Sequence, residues 1–395
     1  MFPELTATDL SFDERKALLA RAACSSSPVR GLTHRFYRYP ARFSPEFAGA
    51  AIELFSSSGD RVLDPFMGGG TTIVEAFARG RYAFGSDINE LSHFVASVKT
   101  SLMSYRSLRR VEEWIGLQVE QVGFRTRLEW DESEECKNLH LPTARPIRKL
   151  TRVLLSRLSE LRRRSERRFA RCVILRTAQW ALDNRRLTPT LAEFKQRLAL
   201  NAHDMVLGML ELCALATDYA SGGITPSLRV SPAQDAEALR ELCGGRTIDL
   251  VVTSPPYPGV HVLYHRWQVN GRRETDAPYW ISASRDGKGS AYYNFADRKD
   301  QSQDKFFQTY AGSLAAVRSV MRKGALLVQM VACRDPEAHL PRLVSAIEQS
   351  GFSQVPSSGT AGELLWRDVP NRKWHATLRG GIATSKELVL IHEAT

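Results

Sequence analysis

Short apolar runs alternate with amphipathic stretches from residue 61 onward, and this alternation predicts strands and helices in turn. Residues 61–64 and 82–87 have the length and apolar character of buried strands. Residues 71–78 form a helical stretch that Thr71 can cap, and Asn89 can cap a second helix that runs to about residue 102. The resulting β-α-β-α order predicts a parallel, doubly wound α/β sheet.

A long helical stretch, residues 105–220, interrupts the alternation, which then resumes. Residues 248–253 are apolar on both faces, as a central parallel strand requires. The other predicted elements of this half are strands at residues 227–230, 325–331 and 387–391 and helices at residues 304–321 and 337–350. The pattern therefore predicts one α/β sheet with a helical insertion between its second and third strands.

A glycine-rich turn lies where the first predicted strand becomes a helix, in the run Asp64-Pro65-Phe66-Met67-Gly68-Gly69-Gly70-Thr71-Thr72. The glycine loop (residues 65–70) can turn sharply and approach a ligand closely, and the next helix directs its N-terminal amides at that ligand. It lacks the Gly-Lys-Ser/Thr of a nucleoside-triphosphate loop. Asp87 ends the next strand, where a carboxylate can accept hydrogen bonds from ribose hydroxyls. This combination predicts a nucleoside cofactor, and a tight turn without a ligand is the alternative.

The Ser-Pro-Pro-Tyr motif (residues 254–257) follows the central strand at its carboxyl end, where open α/β sheets bind ligands. The exocyclic amine of a base is a poor nucleophile because its lone pair is delocalised into the ring. A serine oxygen and a backbone carbonyl that accept its N–H bonds favour the pyramidal amine and direct the lone pair at a methyl donor. The prolines stiffen the turn, and Tyr257 can stack on a flipped base. The alternative is a rigid turn with Tyr257 packed in the core.

These motifs resemble those of the DNA amino-methyltransferases, the enzymes that make N4-methylcytosine or N6-methyladenine. The glycine loop resembles their S-adenosylmethionine motif, and residues 253–257 resemble their catalytic motif. Residues 39–45 resemble the segment that packs on the methionine end of the cofactor, and Asp235 matches a position that often contacts adenine. The resemblance covers residues 33–103 and 225–395, and it implies a seven-stranded, Rossmann-like methyltransferase sheet.

The resemblance also implies a division of the chain and a role for each matched residue. Residues 1–104 and 223–395 are expected to form the catalytic domain, and residues 105–222 the target-recognition region. Catalysis by direct attack of the amine on the methyl group is expected at Ser254, Pro255, Pro256 and Tyr257. Binding of S-adenosylmethionine is expected at Arg42, Phe43, Asp64, Pro65, Phe66, Gly68, Gly70, Thr71, Thr72, Asp87, Ile88 and Asp235.

Serine at the first catalytic position is commoner in the cytosine-N4 enzymes of this family, so N4 of cytosine in DNA is the preferred target. N6 of adenine in DNA, an amine in structured RNA, and a non-catalytic nucleic-acid-binding module are the alternatives. Methylation at C5 of cytosine is disfavoured because it needs a cysteine nucleophile, typically after proline, and the chain has no Pro-Cys pair.

Positive charge is concentrated in the insertion. Residues 145–200 hold sixteen lysines and arginines against four acidic residues, so this segment alone accounts for the net charge of +11. A second basic run begins at Arg367. A solvated helix face, or one paired with the acidic residues 131–135, is the alternative to nucleic-acid binding. The residues expected to contact double-stranded DNA are Arg162, Arg163, Arg164, Arg167, Arg168, Arg372 and Lys373.

The remaining features favour a cytosolic protein. The six cysteines are scattered without a Cys-x-x-Cys pair, which favours reduced thiols over a metal site. No uninterrupted apolar run approaches the roughly 20 residues of a membrane helix, and the first residues lack the layout of a signal peptide. A companion restriction or defence-system protein is an expected partner of such an enzyme.

Overall fold

The computed structural model describes residues 10–25, 27–39, 43–126, 136–258, 266–271, 273–287, 295, 302–332, 335–355, 365–368 and 386–395. Its helices are α1 (Phe12–Ala23), α2 (Pro45–Phe55), α3 (Thr71–Ala78), α4 (Glu90–Thr100), α5 (Tyr105–Gln121), α6 (Arg145–Ser156), α7 (Arg164–Leu182), α8 (Leu191–Ser221), α9 (Ala236–Leu242), α10 (Ala277–Ser282), α11 (Asp304–Arg318) and α12 (Pro336–Gln349). Its strands are β1 (Arg61–Asp64), β2 (Tyr82–Asp87), β3 (Ser227–Val230), β4 (Ile248–Thr253), β5 (Trp267–Val269), β6 (Arg273–Thr275), β7 (Met321–Ala332), β8 (Phe352–Gln354), β9 (Leu365–Asp368) and β10 (Lys386–Ala394).

One large sheet organises the chain, with the strand order β3-β2-β1-β4-β7-β10-β8. The first five strands of this order pair in parallel, and β10 pairs antiparallel with both β7 and β8. A further strand, β9, pairs antiparallel with part of β10. The mostly parallel, doubly wound fold that the sequence predicts is therefore confirmed. The strands β8 and β9 were not indicated by the pattern, and the sheet has eight strands where seven are expected.

Alternate residues of the central strands face two different layers of helices, as the two-residue period of a strand requires. Val62, Leu250 and Val252 pack in one core with residues of α2 and α3. Leu63 and Val251 pack in the opposite core with residues of α9, α11 and α12. The sheet is thus buried on both faces, and the carboxyl ends of β1, β2 and β4 meet at one edge that is free to carry a site.

The described part of the insertion between α4 and β3 is helical, as predicted, and holds α5 to α8. Its core continues into α4 and into the segment that holds β5 and α10. At Gly208, a Cβ atom would lie 2.0 Å from the carbonyl oxygen of Leu32, so α8 touches the N-terminal segment through its backbone. By length and composition alone α8 could cross a membrane, whereas in the structure it packs against α5 and α7.

Three local predictions differ from the structure. Thr71 is the first residue of α3 and does not cap it: the N-cap is Gly70, with φ 74°. Glycine adopts this left-handed conformation without strain, so the chain turns into α3 at Gly70, a residue without a side chain that could cap the helix. The helix predicted to reach residue 321 ends at Arg318. The strand predicted from residue 325 begins at Met321, because the backbone there already pairs with β4, although the exposed Arg322 and Lys323 break the apolar pattern from which the strand was predicted.

Candidate active site

Three strand ends meet at the carboxyl edge of the sheet. β1 ends at Asp64, β2 at Asp87 and β4 at Thr253, and β1 lies between the other two. The Thr253 hydroxyl donates a hydrogen bond of 2.6 Å to Oδ1 of Asp64. The residues that immediately precede the glycine loop and the Ser-Pro-Pro-Tyr motif, far apart in the sequence, are therefore joined by a buried hydrogen bond.

The glycine loop needs its glycines for two reasons. Gly68 and Gly70 have φ angles of 48° and 74°, a region that side chains disfavour. In addition, a Cβ atom on Gly69 would lie 2.9 Å from Cβ of Tyr39, and one on Gly70 would lie 2.9 Å from Cβ of Ala96. The loop is therefore held between Tyr39 and helix α4.

Helix α4 also holds the glycine loop by hydrogen bonds to its carbonyl groups. The Ser92 hydroxyl donates to the Gly68 oxygen at 2.5 Å, and Nζ of Lys99 donates to the Gly69 oxygen at 2.5 Å. Lys99 is 2% exposed, and a buried ammonium group needs such polar partners. Ser92, Ala96 and Lys99 are spaced four and three residues apart, so they share one face of α4. That face fixes the shape of the loop.

Asp87, the residue expected to bind ribose, lies beside the glycine loop. Its Oδ2 accepts a hydrogen bond from the Gly68 amide at 2.9 Å, and its Oδ1 accepts one from the Asn89 amide at 2.8 Å. Burial raises the pKa of its carboxyl group above the ordinary value. A carboxylate offers about four acceptor positions, so these two bonds leave capacity for a ligand. The ribose role stays a prediction.

Asp64 is the most deeply buried acid of the site, at 1% exposure. Its Oδ1 accepts from Thr253 and also from the Phe66 amide, at 3.1 Å. Its Oδ2 is buried and has no hydrogen-bond partner among the described residues. Burial, with a smaller contribution from the nearby Asp87 carboxylate, raises the pKa of the carboxyl group to about 6. The open oxygen is suited to a donor or to a positive charge on a ligand.

The Ser-Pro-Pro-Tyr motif places its residues at different depths. Ser254 and Pro256 are half-buried, while Pro255 and Tyr257 are buried. The Ser254 hydroxyl lies 2.9 Å from the Tyr257 hydroxyl, which in turn donates to Oε1 of Glu387 at 3.4 Å. The Tyr257 ring belongs to the core beneath the motif, at 4% exposure. The motif thus has its serine at the rim, and stacking of Tyr257 on a base stays a prediction.

The remaining residues of the glycine-rich run support its position on the sheet. Pro65 is buried, and the half-buried ring of Phe66 packs against Phe295 at 5.6 Å between centroids. Thr71 is buried, and the Thr72 hydroxyl donates to the carbonyl of the β4 residue Val252 at 3.0 Å. These contacts tie the start of α3 to the strand that carries Ser254.

The weaker matches to the family differ in where they lie. Phe43 is buried against Phe47, next to the N-terminus of α2, and Ile88 is half-buried after Asp87. Asp235 is exposed and lies beyond the end of β3, where its carboxylate caps α9 by accepting from the Ala238 amide at 2.9 Å. Arg42 lies outside the described residues. The cofactor roles of these residues stay predictions.

The arginines of the insertion fall into two groups. Arg167 and Arg168 are half-buried: Arg167 donates to a backbone carbonyl at 3.2 Å, and the Arg168 guanidinium lies over the Phe94 ring at 5.3 Å. Burial lowers the pKa of Arg168, and the charge of Arg164 lowers it further. The arginines exposed at the start of α7 are Arg162, Arg163 and Arg164. These three remain available to a polyanion, whereas Arg372, Lys373 and the acidic residues 131–135 lie outside the described residues.

The polar groups that support the two motifs are not among the residues predicted from the sequence. Ser92 and Lys99 could have been found from their seven-residue spacing, which places them on one face of the helix after Asp87. Arg367, which begins the second basic run, is buried on β9 and pairs with Glu387. No local pattern indicates this pair, since β9 and β10 meet only through the register of the sheet.

A family model described as DNA methylase matches residues 22–96. This stretch contains the segment ending at Tyr39, the glycine loop and Asp87, but not the Ser-Pro-Pro-Tyr motif.

The chain is also similar to three curated Type II methyltransferases. It is 40% identical to M.MvaI of Kocuria varians over 85 residues, and the aligned region covers 21% of this chain and 19% of that protein. It is 35% identical over 95 residues to M.BsoBI of Geobacillus stearothermophilus, covering 22% and 19%, and 30% identical over 78 residues to M.MjaII of Methanocaldococcus jannaschii, covering 20% and 15%. The chain therefore spans less than a fifth of the length of these curated relatives.

Among solved structures, TrmN from Thermus thermophilus aligns with a TM-score of 0.36 and 12% identity, over 92% of this chain and 53% of that one. The rRNA methyltransferase aviRa from Streptomyces viridochromogenes aligns with a TM-score of 0.32 and 13% identity, over 98% and 94%. The fold itself is defined here by the order and direction of the strands. Together with the sequence matches, the motifs make residues 22–96, the N-terminal half of the site, similar to DNA methylases, a family whose methyl donor is S-adenosylmethionine.

Proposed function

We propose that the protein is an S-adenosylmethionine-dependent methyltransferase that modifies N4 of cytosine in double-stranded DNA. The hydrogen bond between Thr253 and Asp64 carries this proposal, because it joins the segment that matches the DNA methylase model to the residue before the Ser-Pro-Pro-Tyr motif, at one edge of the sheet. A nucleoside cofactor and an amine acceptor can therefore meet at this edge.

The residues at the edge fit S-adenosylmethionine. The glycine loop allows close approach of a ligand, and Asp87 offers acceptors for ribose hydroxyls. The open Oδ2 of Asp64 is a buried acceptor that suits a cationic ligand. When bound, S-adenosylmethionine supplies an electrophilic methyl group on a positively charged sulfur.

Ser254 then acts on the acceptor amine. Its half-buried hydroxyl oxygen and the Pro255 carbonyl oxygen accept hydrogen bonds from the two N–H groups of the exocyclic amine. These two hydrogen bonds hold the nitrogen lone pair toward the methyl group. The attack is direct: the bond from nitrogen to the methyl carbon forms as the bond from that carbon to sulfur breaks, the thioether S-adenosylhomocysteine leaves, and the methylated amine then loses one proton to water. The base must first leave the duplex, at a cost of a few kcal/mol, before its amine can reach the motif.

The insertion, residues 105–222, is the proposed target-recognition region, and residues 1–104 and 223–395 form the proposed catalytic domain. The exposed arginines of the insertion, at the start of α7, would bind DNA phosphates without recognising the base sequence. Cytosine is favoured over adenine because the first residue of the motif is serine, and a companion restriction or defence protein is the expected partner. Adenine-N6 methylation by the same geometry is the second candidate.

The proposal is tested by transfer of tritium from S-adenosyl-[methyl-³H]methionine to unmethylated plasmid DNA, with structured RNA as a competitor. Wild-type protein should label the DNA, and Ser254→Ala should reduce the rate about 100-fold or more while S-adenosylmethionine still binds. Labelling of RNA in preference to DNA would contradict the DNA assignment. Full activity of Ser254→Ala would contradict the role given to the motif.

A further inference from the structure

A chain of hydrogen bonds runs inward from the proposed catalytic serine. Ser254 contacts the Tyr257 hydroxyl at 2.9 Å, and that hydroxyl donates to Oε1 of Glu387 at 3.4 Å. The other carboxylate oxygen, Oε2, accepts two hydrogen bonds from the Arg367 guanidinium, one of them of 2.8 Å from Nε. Nη1 of Arg367 also donates to the carbonyl of Ala23, at 2.7 Å. The chain therefore ends on groups whose roles as donor and acceptor are fixed.

The sheet register builds this chain. Glu387 and Arg367 are directly opposite each other on β10 and β9. Because β10 is antiparallel to β7, its first residues lie at the carboxyl edge of the sheet, where Glu387 pairs with Ala332, the last residue of β7. Glu387 and Arg367 are 3% and 7% exposed, so water competes little for these bonds.

The donation from the Tyr257 hydroxyl to Glu387 sets the direction of the hydrogen bond to Ser254. A guanidinium can only donate, so the Glu387 carboxylate accepts on both of its oxygens. Tyr257 has a single hydroxyl proton, which it donates to Glu387. The hydrogen bond between Ser254 and Tyr257 must then have Ser254 as its donor. The Ser254 proton consequently points away from the rim, and its oxygen lone pairs are left for the substrate.

We propose that Glu387 and Tyr257 are positioning residues that orient the Ser254 hydroxyl as an acceptor for the amine of the target base. This inference rests on the proposed function of Ser254. An amine that must become pyramidal needs acceptors for its N–H bonds, and a serine free to rotate would present its own proton part of the time. The buried carboxylate removes that alternative.

The test uses Glu387→Gln in the full-length protein. Arg367 only donates, so the new amide oxygen faces Arg367 and the amide NH₂ faces Tyr257. The Tyr257 oxygen then accepts, and its proton turns toward Ser254, which reverses the chain. Single-turnover methylation of DNA should slow by about 10- to 100-fold, the equivalent of one hydrogen bond to a charged group. The Kd for S-adenosylmethionine and the KM for DNA should stay within about twofold, because Glu387 is 3% exposed and is reached from the site through Tyr257.

Two further variants separate orientation from folding. Tyr257→Phe keeps the buried ring and removes the hydroxyl, so it should slow methylation to a similar extent. In the double variant Glu387→Gln with Tyr257→Phe, the rate should be no lower than in Tyr257→Phe alone, because Glu387 acts only through the tyrosine. Glu393→Gln, on the same face of β10 and half-buried, is the matched control and should keep the wild-type rate.

Slow single variants with a non-additive double variant would support the chain. A wild-type rate in Glu387→Gln, or additive losses in the double variant, would overturn it while leaving the proposed function intact. Wild-type protein that methylates no DNA, with S-adenosylmethionine bound, would instead overturn the proposed function and this inference with it.

Discussion

Asp64→Asn is expected to stabilise the protein without cofactor and to weaken its binding of S-adenosylmethionine. Asp64 is 1% exposed, its Oδ2 has no hydrogen-bond partner among the described residues, and burial raises its pKa to about 6. The fold therefore holds an unfavourable anion at neutral pH. Asparagine keeps an oxygen that can accept from Thr253 and from the Phe66 amide, and it removes the charge.

The magnitude follows from the difference in pKa between the folded and unfolded states. The pKa rises from 3.8 to about 6, and each pKa unit is worth about 1.4 kcal/mol, so ionised Asp64 lowers the free energy of unfolding by about 3 kcal/mol above pH 6. Since the pKa of Asp64 is higher in the folded protein, the loss of stability is absent below the unfolded pKa of 3.8. It grows as the pH rises from 3.8 to about 6. An unpaired amide N–H costs about 1 to 2 kcal/mol, which leaves a net gain of about 1 to 2 kcal/mol at about pH 8 and almost none at about pH 5.

The assay is urea unfolding of wild-type and Asp64→Asn protein at those two pH values, without cofactor. Asp60→Asn, just before the other end of β1 and half-buried, is the matched control and should show no gain that grows with pH. Calorimetry should then give a Kd for S-adenosylmethionine at least about tenfold higher in Asp64→Asn, since a charge-assisted contact is lost. The reasoning would be refuted if Asp64→Asn were less stable than wild type at about pH 8, or if it gained the same free energy of unfolding at both pH values.

Three further predictions concern the glycine loop and the insertion. Gly70→Ala should raise the Kd for S-adenosylmethionine more than about tenfold and cost about 1 to 3 kcal/mol of stability in urea unfolding, because φ is 74° and the new Cβ meets α4; Gly59→Ala, with φ 86° and open space around it, should show only the stability loss. Lys99→Met should cost about 1 to 3 kcal/mol in the same assay and weaken cofactor binding, because a loop carbonyl loses its donor; unchanged calorimetry would contradict the role of α4. Replacement of Arg162, Arg163 and Arg164 by alanine should lower the slope of log K against log salt by about three in fluorescence anisotropy with duplex DNA, and an unchanged slope would exclude these phosphate contacts.

The parallel part of the fold was predictable because its signals are local. Strands β1, β2 and β4 match the predicted bounds since each is a short apolar run between turn residues, and β4 is apolar on both faces as its central position requires. The fixed handedness of β-α-β units then brings the strand ends together at one edge. The proximity of Asp64 and the Ser-Pro-Pro-Tyr motif follows from that topology.

What the sequence did not indicate depends on long-range register. Arg367 was placed in a basic run, but its partner Glu387 lies across β9 and β10, and their pairing is decided by how the last strands align. Likewise, Arg167 and Arg168 belong to a segment that is basic on average, and only tertiary packing separates them from the exposed arginines before them. Composition predicts charge density, but it does not predict which charged groups face solvent.

Nucleoside mass spectrometry is the measurement that tests the central claim most directly. Unmethylated plasmid DNA is incubated with wild-type protein and S-adenosylmethionine, and with Ser254→Ala in parallel, and the DNA is then digested to nucleosides. We expect N4-methyl-2′-deoxycytidine in the wild-type digest and its near absence with Ser254→Ala. N6-methyl-2′-deoxyadenosine in its place would contradict the assignment of cytosine, and an unmodified digest from protein that binds S-adenosylmethionine would contradict DNA methylation itself.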